Sequence, residues 1–237
     1  MSQTFAAQLL EIVKTPDITQ NALIQSIANG RYPKDSLRGY IADLTALAGS
    51  LPATLASIYA LCDKAEVCHA LLENLLEEIG AASYSPQTGL LLAPERHHTA
   101  LAARLARALG VVGVCVAKPP TGQWISLELQ QGRWLGPFAY ICVGIESNVP
   151  RAFRLLYEGL RQHYGVAEAD LEFLAEHFIA DEKHGAHGAE LAAFAATTTE
   201  QQQEARHGAQ RGALAFWHFH QRHARLLRAA PAAASAA

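Results

Sequence analysis

The sequence predicts an all-α protein built as a single helical domain. Leu, Ile, Val and Phe recur at three- and four-residue intervals through most of the chain. The long stretch from Ala167 to Thr199 contains no proline. The run most like a strand, Val111 to Val116, stands between helices with nothing to pair with. A chain of 237 residues is long enough for one large core, and it shows no internal repeat and no linker. We expect the domain to span residues 1–228, followed by a disordered Ala-rich tail, 229–237.

Taken in order, Phe5, Leu9, Leu10 and Val13 mark a first helix over residues 2–14. A second runs from about Thr19 to Ala28, stopped by Asn29-Gly30. Asp35 or Ser36 can cap a third, which carries Tyr40, Leu44 and Leu47. Pro52 should kink or break it near Gly49-Ser50, leaving another helix to Leu61. A further helix, Lys64 to Gly80, ends on glycine. Residues 81–94 read as a loop, and Pro94-Glu95-Arg96 opens a helix holding His98, Leu101, Leu105 and Leu109. A connecting segment passes through Lys118-Pro-Pro to a short helix at Trp124–Leu129. Gly132 to Tyr164 reads as one long helix despite Pro150. A last helix follows the proline-free stretch, from about Thr199 to Arg228.

Composition excludes several functions. The formal net charge is −3 and Lys and Arg form no cluster, which argues against a nucleic-acid surface. The N-terminus has no basic segment followed by an apolar core, and no apolar run approaches the ~18 residues of a membrane span. The four cysteines form no CxxC pair, which suits buried thiols in a reducing cytoplasm. Eleven histidines are many, although His69, His163 and His207 read as surface positions.

The stretch His177-Phe-Ile-Ala-Asp181-Glu-Lys-His184 carries the most chemistry. On a helix, positions 0, +4 and +7 fall at roughly 0°, +40° and −20°, so two imidazoles flank a carboxylate on one narrow stripe. Alone this is either half of a metal site or a polar helix face. Three other helices also carry an ionisable group on an apolar side: Glu77, His98 and Glu146. Together these are three carboxylates and three histidines. Helical bundles that bind two iron or manganese ions use this donor economy, and the lack of thiolate argues against structural zinc.

With these residues in view, the chain resembles the heme-oxygenase-like di-iron oxidases and oxygenases, which share the TenA/PqqC-like helical fold. Four segments carry the likeness: Asn74-Leu-Leu-Glu77-Glu78-Ile-Gly80, His98 with Leu101, Leu105 and Gly110 behind it, Ile145-Glu146-Ser-Asn-Val-Pro150 with Glu158-Gly159, and the His177-x3-Asp181-x2-His184 signature. The resemblance implies the ligands Glu77, His98, Glu146, His177, Asp181 and His184. Glu77 is taken over its neighbour Glu78 because it stands three before the closing glycine, and His98 over His97 by its spacing to Leu101 and Gly110. It further implies two Fe(II) ions, with manganese as a substitute, and O2 as co-substrate. The implied reaction is oxidation of a small amine, amino acid or carboxylic acid in a biosynthetic pathway. Arg151, Arg154 or Lys183 could orient a carboxylate, or be ordinary surface charges. The fold is compatible with a homodimer.

One branch of that family consumes its own tyrosine and lysine. This chain resembles it less, with Ile41-Ala-Asp-Leu where that branch is tyrosine-rich and Leu156 ten residues beyond Glu146. The alternative on the same fold is a metal-free hydrolase or cofactorless oxidase, with Cys142 as nucleophile one turn before Glu146. A non-catalytic helical module is the third reading. His218-x-His220-x2-His223 spreads around a helix and reads as part of an amphipathic closing helix, not as a second metal site.

Overall fold

A computed structural model describes residues 3–85, 87, 89–111 and 122–224, with the side chains of 82–85 and 180–183 left out. The expected connecting segment at Lys118-Pro-Pro and the tail 229–237 lie outside the described residues. The described chain is helical, as the apolar spacing requires. Its helices are α1 (Phe5–Ile12), α2 (Ala22–Ala28), α3 (Lys34–Tyr59), α4 (Ala65–Glu78), α5 (His98–Ala108), α6 (Gly122–Gln130), α7 (Leu135–Phe138), α8 (Val149–Tyr164), α9 (Glu172–Ala195) and α10 (Thr199–Ala224). Side-chain caps set several starts. Thr4 Oγ1 accepts from the Ala7 N–H before α1, and Asn21 Oδ1 accepts from the Leu23 N–H before α2.

Three expectations are corrected. First, α3 is one helix through Pro52 rather than two. Hydroxyls on the same turns bond to its backbone carbonyls, Ser50 Oγ donating to Leu47 O (2.8 Å) and Thr54 Oγ1 to Ser50 O (2.9 Å). It is also long and apolar enough, by length and composition alone, to cross a membrane. Its apolar character has another use here, because Leu37, Tyr40, Ile41 and Leu44 are buried in the core.

Second, residues 81–92 are not a plain loop. They form an antiparallel hairpin, β1 (Ala81–Ser85) and β2 (Gly89–Leu92), with Tyr84 opposite Leu90. Its base is closed by the Ala93 N–H donating to Gly80 O (2.9 Å). Strands this short show too little alternation to be read from sequence.

Third, the expected long helix from Gly132 to Tyr164 is in pieces. After α7 the backbone widens into a π segment, Ala139–Ile145, and then turns through residues 146–148 before α8. Pro150 sits in the first turn of α8, where its missing N–H costs little. Residues Ala139 to Gly144 are buried on every side, so there is no polar face to give periodicity. Glycines let neighbours close on this segment: a Cβ at Gly212 would lie 2.1 Å from Tyr140 O, and one at Gly188 would lie 2.4 Å from Cys142 O. Helices α9 and α10 therefore pack directly against it.

Two apolar clusters result. One gathers α2, the first half of α3, α5, α8 and the end of α10; the other gathers α1, α4, α7, the π segment and the second half of α9. Ile145 packs against both. The polar residues of interest lie at this seam.

Candidate metal centre

Helix α4 turns its inner face through Val67, Leu71, Asn74 and Glu78, a 4-3-4 spacing that aims one face at the core. Glu78 is only 3% exposed. Gly80 ends the helix at φ +72°, and a Cβ there would lie 2.7 Å from both Ala93 O and His97 N. This close approach seats the start of α5 against the end of α4. His97 serves as the cap of α5, its Nδ1 accepting from the Thr99 N–H (3.1 Å). His98, the next residue, turns inward, with Nδ1 3.0 Å from Glu78 Oε1.

His177 arrives from α9. Its Nδ1 donates to Phe173 O (2.7 Å), which leaves Nε2 with a lone pair facing inward, 3.9 Å from Glu78 Oε1. Ring centroids of His98 and His177 lie 4.4 Å apart. Donor atoms of Glu78, His98 and His177 all lie within 4.8 Å of one another.

These side chains line a cavity of about 510 Å³ together with Glu77, Glu146 and His184. Glu146 comes from the turn after the π segment, 5% exposed, and its Oε1 accepts from Asn74 Nδ2 (2.8 Å). His184 Nε2 is 3.5 Å from Glu77 Oε2. The side chain of Asp181 lies outside the described residues.

The carboxylate brought to His98 and His177 is thus Glu78, where the sequence argument had chosen Glu77. Glu77 belongs to the outer side of α4, its side chain 52% exposed at the cavity rim. The reason is helical phase. Consecutive residues stand about 100° apart, and Val67, Leu71 and Asn74 place Glu78 inside. Sequence reasoning also missed Glu176, whose Oε2 is 3.5 Å from His98 Nε2 while Oε1 accepts from Arg96 (2.7 Å). No pattern in the sequence distinguishes it, because that pairing is made by the fold.

Arg151 and Arg154 are not in this cavity. Arg151 pairs with Asp17 (2.9 Å), and the Arg154 guanidinium lies 4.8 Å from the centre of the Phe178 ring. Lys183 has no described side chain. His69, His163 and His207 are exposed, as expected. Cys142, the nucleophile of the metal-free alternative, is buried in an apolar cluster and lines neither this cavity nor the larger one beside it.

The donor set suits iron. Four carboxylates, Glu77, Glu78, Glu146 and Glu176, line a small cavity with Arg96 as the one arginine or lysine among the described residues. Glu78 and Glu146 are buried, and carboxylates confined like these need a compensating positive charge or a proton. Glu78 Oε2 is buried with no hydrogen-bond partner among the described residues, as a metal-facing oxygen would be. Oxygen and imidazole donors without thiolate match iron or manganese.

The chain matches the family model described as iron-containing redox enzyme over residues 47–217 and belongs to that family. Its fold is heme-oxygenase-like. A CADD-like protein of unknown function from Nostoc punctiforme superposes with a TM-score of 0.68 at 20% identity, covering 94% of this chain and 96% of that one. A TenA homolog from Pseudomonas syringae superposes with a TM-score of 0.71 at 14% identity, covering 93% of each. No curated protein matches the chain.

Proposed function

We propose that the chain is a non-heme di-iron oxidase or oxygenase that uses O2 to oxidise a small organic amine, amino acid or carboxylic acid. The observation that carries this reading is the buried Glu78–His98–His177 group beside Glu146 and His184 in one carboxylate-rich cavity. Glu78, His98 and His177 would hold one ion. Glu146, His184 and Glu77, with Asp181 on the same face of α9, would hold the other. Iron supplies the electrons for reducing O2 when bound.

The chain's own residues set the conditions for that chemistry. The bond from His177 to Phe173 O fixes its ring and its tautomer. Asn74 fixes one oxygen of Glu146. Ile141, Ile145 and Val149 wall the cavity with apolar surface, which keeps bulk water from the reacting group. A cytoplasmic setting, with Cys62, Cys68 and Cys142 as thiols, accords with this reading.

Anaerobic titration with Fe(II), followed by an O2 pulse, tests the proposal. Wild type should take up about two irons per chain and then consume O2. Glu78→Gln should lose iron and O2 consumption together. Uptake of no iron by the wild type would overturn the reading.

A further inference from the structure

A second cavity, of about 1010 Å³, adjoins the candidate metal centre. The two share the wall residues Leu51, Ile141, Ile145, Val149 and His177. Its size is at the upper end of the ~300–1,000 Å³ typical of pockets for drug-sized ligands. It runs between the second half of α3 and α6 down to a floor of Phe153, Phe173 and Phe216, beside His177.

Its lining is graded. The exposed outer rim carries the polar side chains, Gln123, Ser126 and Gln130 from α6 and Ser57 from α3, beside the apolar Leu127 and Ala53. The floor is buried and aromatic. No Lys, Arg, Asp or Glu lines it among the described residues. The hydroxyls that α3 contributes have their hydrogens committed elsewhere. Ser50, Thr54 and Ser57 each donate to a backbone carbonyl three or four residues back on their own helix. From α3, then, the cavity meets a ligand with hydrocarbon and no free donor. An ionised group lodged in its depth, short of the metal centre, would lose its hydration with no charged side chain to pair with among the described residues.

We infer that the substrate is a molecule with a sizeable uncharged apolar body, an alkyl chain or aryl ring system, seated in this larger cavity. Its oxidisable polar group reaches the shared wall at His177. This rests on the functional reading above and narrows it: a small amino acid with a polar side chain does not match this lining, whereas an amine or carboxylic acid with an apolar body does. The exposed rim marks the entrance, and the bond to be oxidised lies at the far end from it.

The test uses two fluorescent probes with the same ring system. N-phenyl-1-naphthylamine is neutral, and 8-anilinonaphthalene-1-sulfonate carries a charge. Both are titrated into the full chain, metal-free and Fe(II)-loaded under anaerobic conditions, with iron content measured on the same samples. The neutral probe should bind once per chain with blue-shifted emission, about tenfold or more tighter than the sulfonate. Leu47→Trp and Ser126→Trp, which fill the cavity from opposite walls, should each weaken it about tenfold or more. Circular dichroism shows whether each variant is folded, and either one alone suffices. Glu78→Gln should leave probe binding unchanged while losing iron. Equal binding of the two probes, or wild-type binding in the folded Trp variants, overturns the cavity inference and leaves the iron reading standing. Probe binding as expected, without iron uptake by the wild type, sinks the metal reading and leaves the apolar cavity.

Discussion

Two regions of this molecule bury histidines, and they do so under opposite conditions. At one, His98 and His177 face the carboxylate of Glu78 across a cavity, and one oxygen of that carboxylate has no hydrogen-bond partner among the described residues. At the other, His220 is fully buried in α10, with Nδ1 3.2 Å from the Tyr40 hydroxyl and with the rings of Phe216 and Phe219 packed against it. Burial holds the His220 imidazole neutral, its pKa driven down to about 3. Nearby His223 Nε2 lies 3.1 Å from Asp43, which also pairs with Arg222. His220, His223 and Tyr40 line neither cavity, and the one buried imidazole there answers to a neutral phenol. Partners and space, more than burial, separate a candidate ligand from a core histidine.

The strongest way to break this contrast is to compare metal uptake. Glu78→Gln should weaken Fe(II) binding by more than about 100-fold, since even outer-shell changes cost 10–100-fold. His220→Gln should leave iron content unchanged. Equal loss in both variants, measured by elemental analysis, would erase the distinction.

Stability of the metal-free protein should separate the two regions next, with opposite sign. His220→Ala opens a cavity and strands the Tyr40 hydroxyl, so it should destabilise by about 2–4 kcal/mol. Glu78→Gln removes a buried carboxylate and should be neutral, or stabilising by up to about 2 kcal/mol. Urea unfolding of chelator-treated protein reads both values.

Acid sharpens the comparison further. The folded pKa of His220 lies below its unfolded value, so between about 6.5 and about 3 the unfolded chain binds a proton that the folded one refuses. Stability should therefore fall with falling pH across that window, by up to about 1.4 kcal/mol per pH unit from this one group. His220→Phe should flatten the slope. An unchanged slope would mean that the imidazole takes up its proton inside the fold.

The smallest effects belong to the surface arginines once considered as substrate anchors. Arg151→Ala breaks an exposed pair with Asp17 and should cost no more than about 1 kcal/mol, with iron binding unaltered.

Much of this was legible in the chain itself. The 3-4 spacing located α5, glycine stops located the ends of α2 and α4, and residue chemistry singled out Glu146, His98 and the face of α9 that carries His177 and His184. Other features depend on the third dimension. Glu77 and Glu78 are chemically identical neighbours, and only the phase carried forward from Val67, Leu71 and Asn74 turns Glu78 inward. Pro52 promised a break in α3, yet the helix runs through it, with Ser50 and Thr54 hydroxyls bonded to carbonyls on the neighbouring turns. The π segment before Glu146 is buried all round, so no polar face marked where the helix would widen. Glu176 meets His98 through a contact between α9 and α5 that no local pattern encodes. His220 looked like one more residue of an amphipathic helix until Tyr40, 180 residues away, closed over it.

The most direct test of the account is an anaerobic Fe(II) titration of wild type, Glu78→Gln and Glu77→Gln side by side. The account predicts about two irons per chain in the wild type, loss of binding in Glu78→Gln, and a smaller loss in Glu77→Gln at the rim. Iron binding in Glu78→Gln equal to that of the wild type would contradict it.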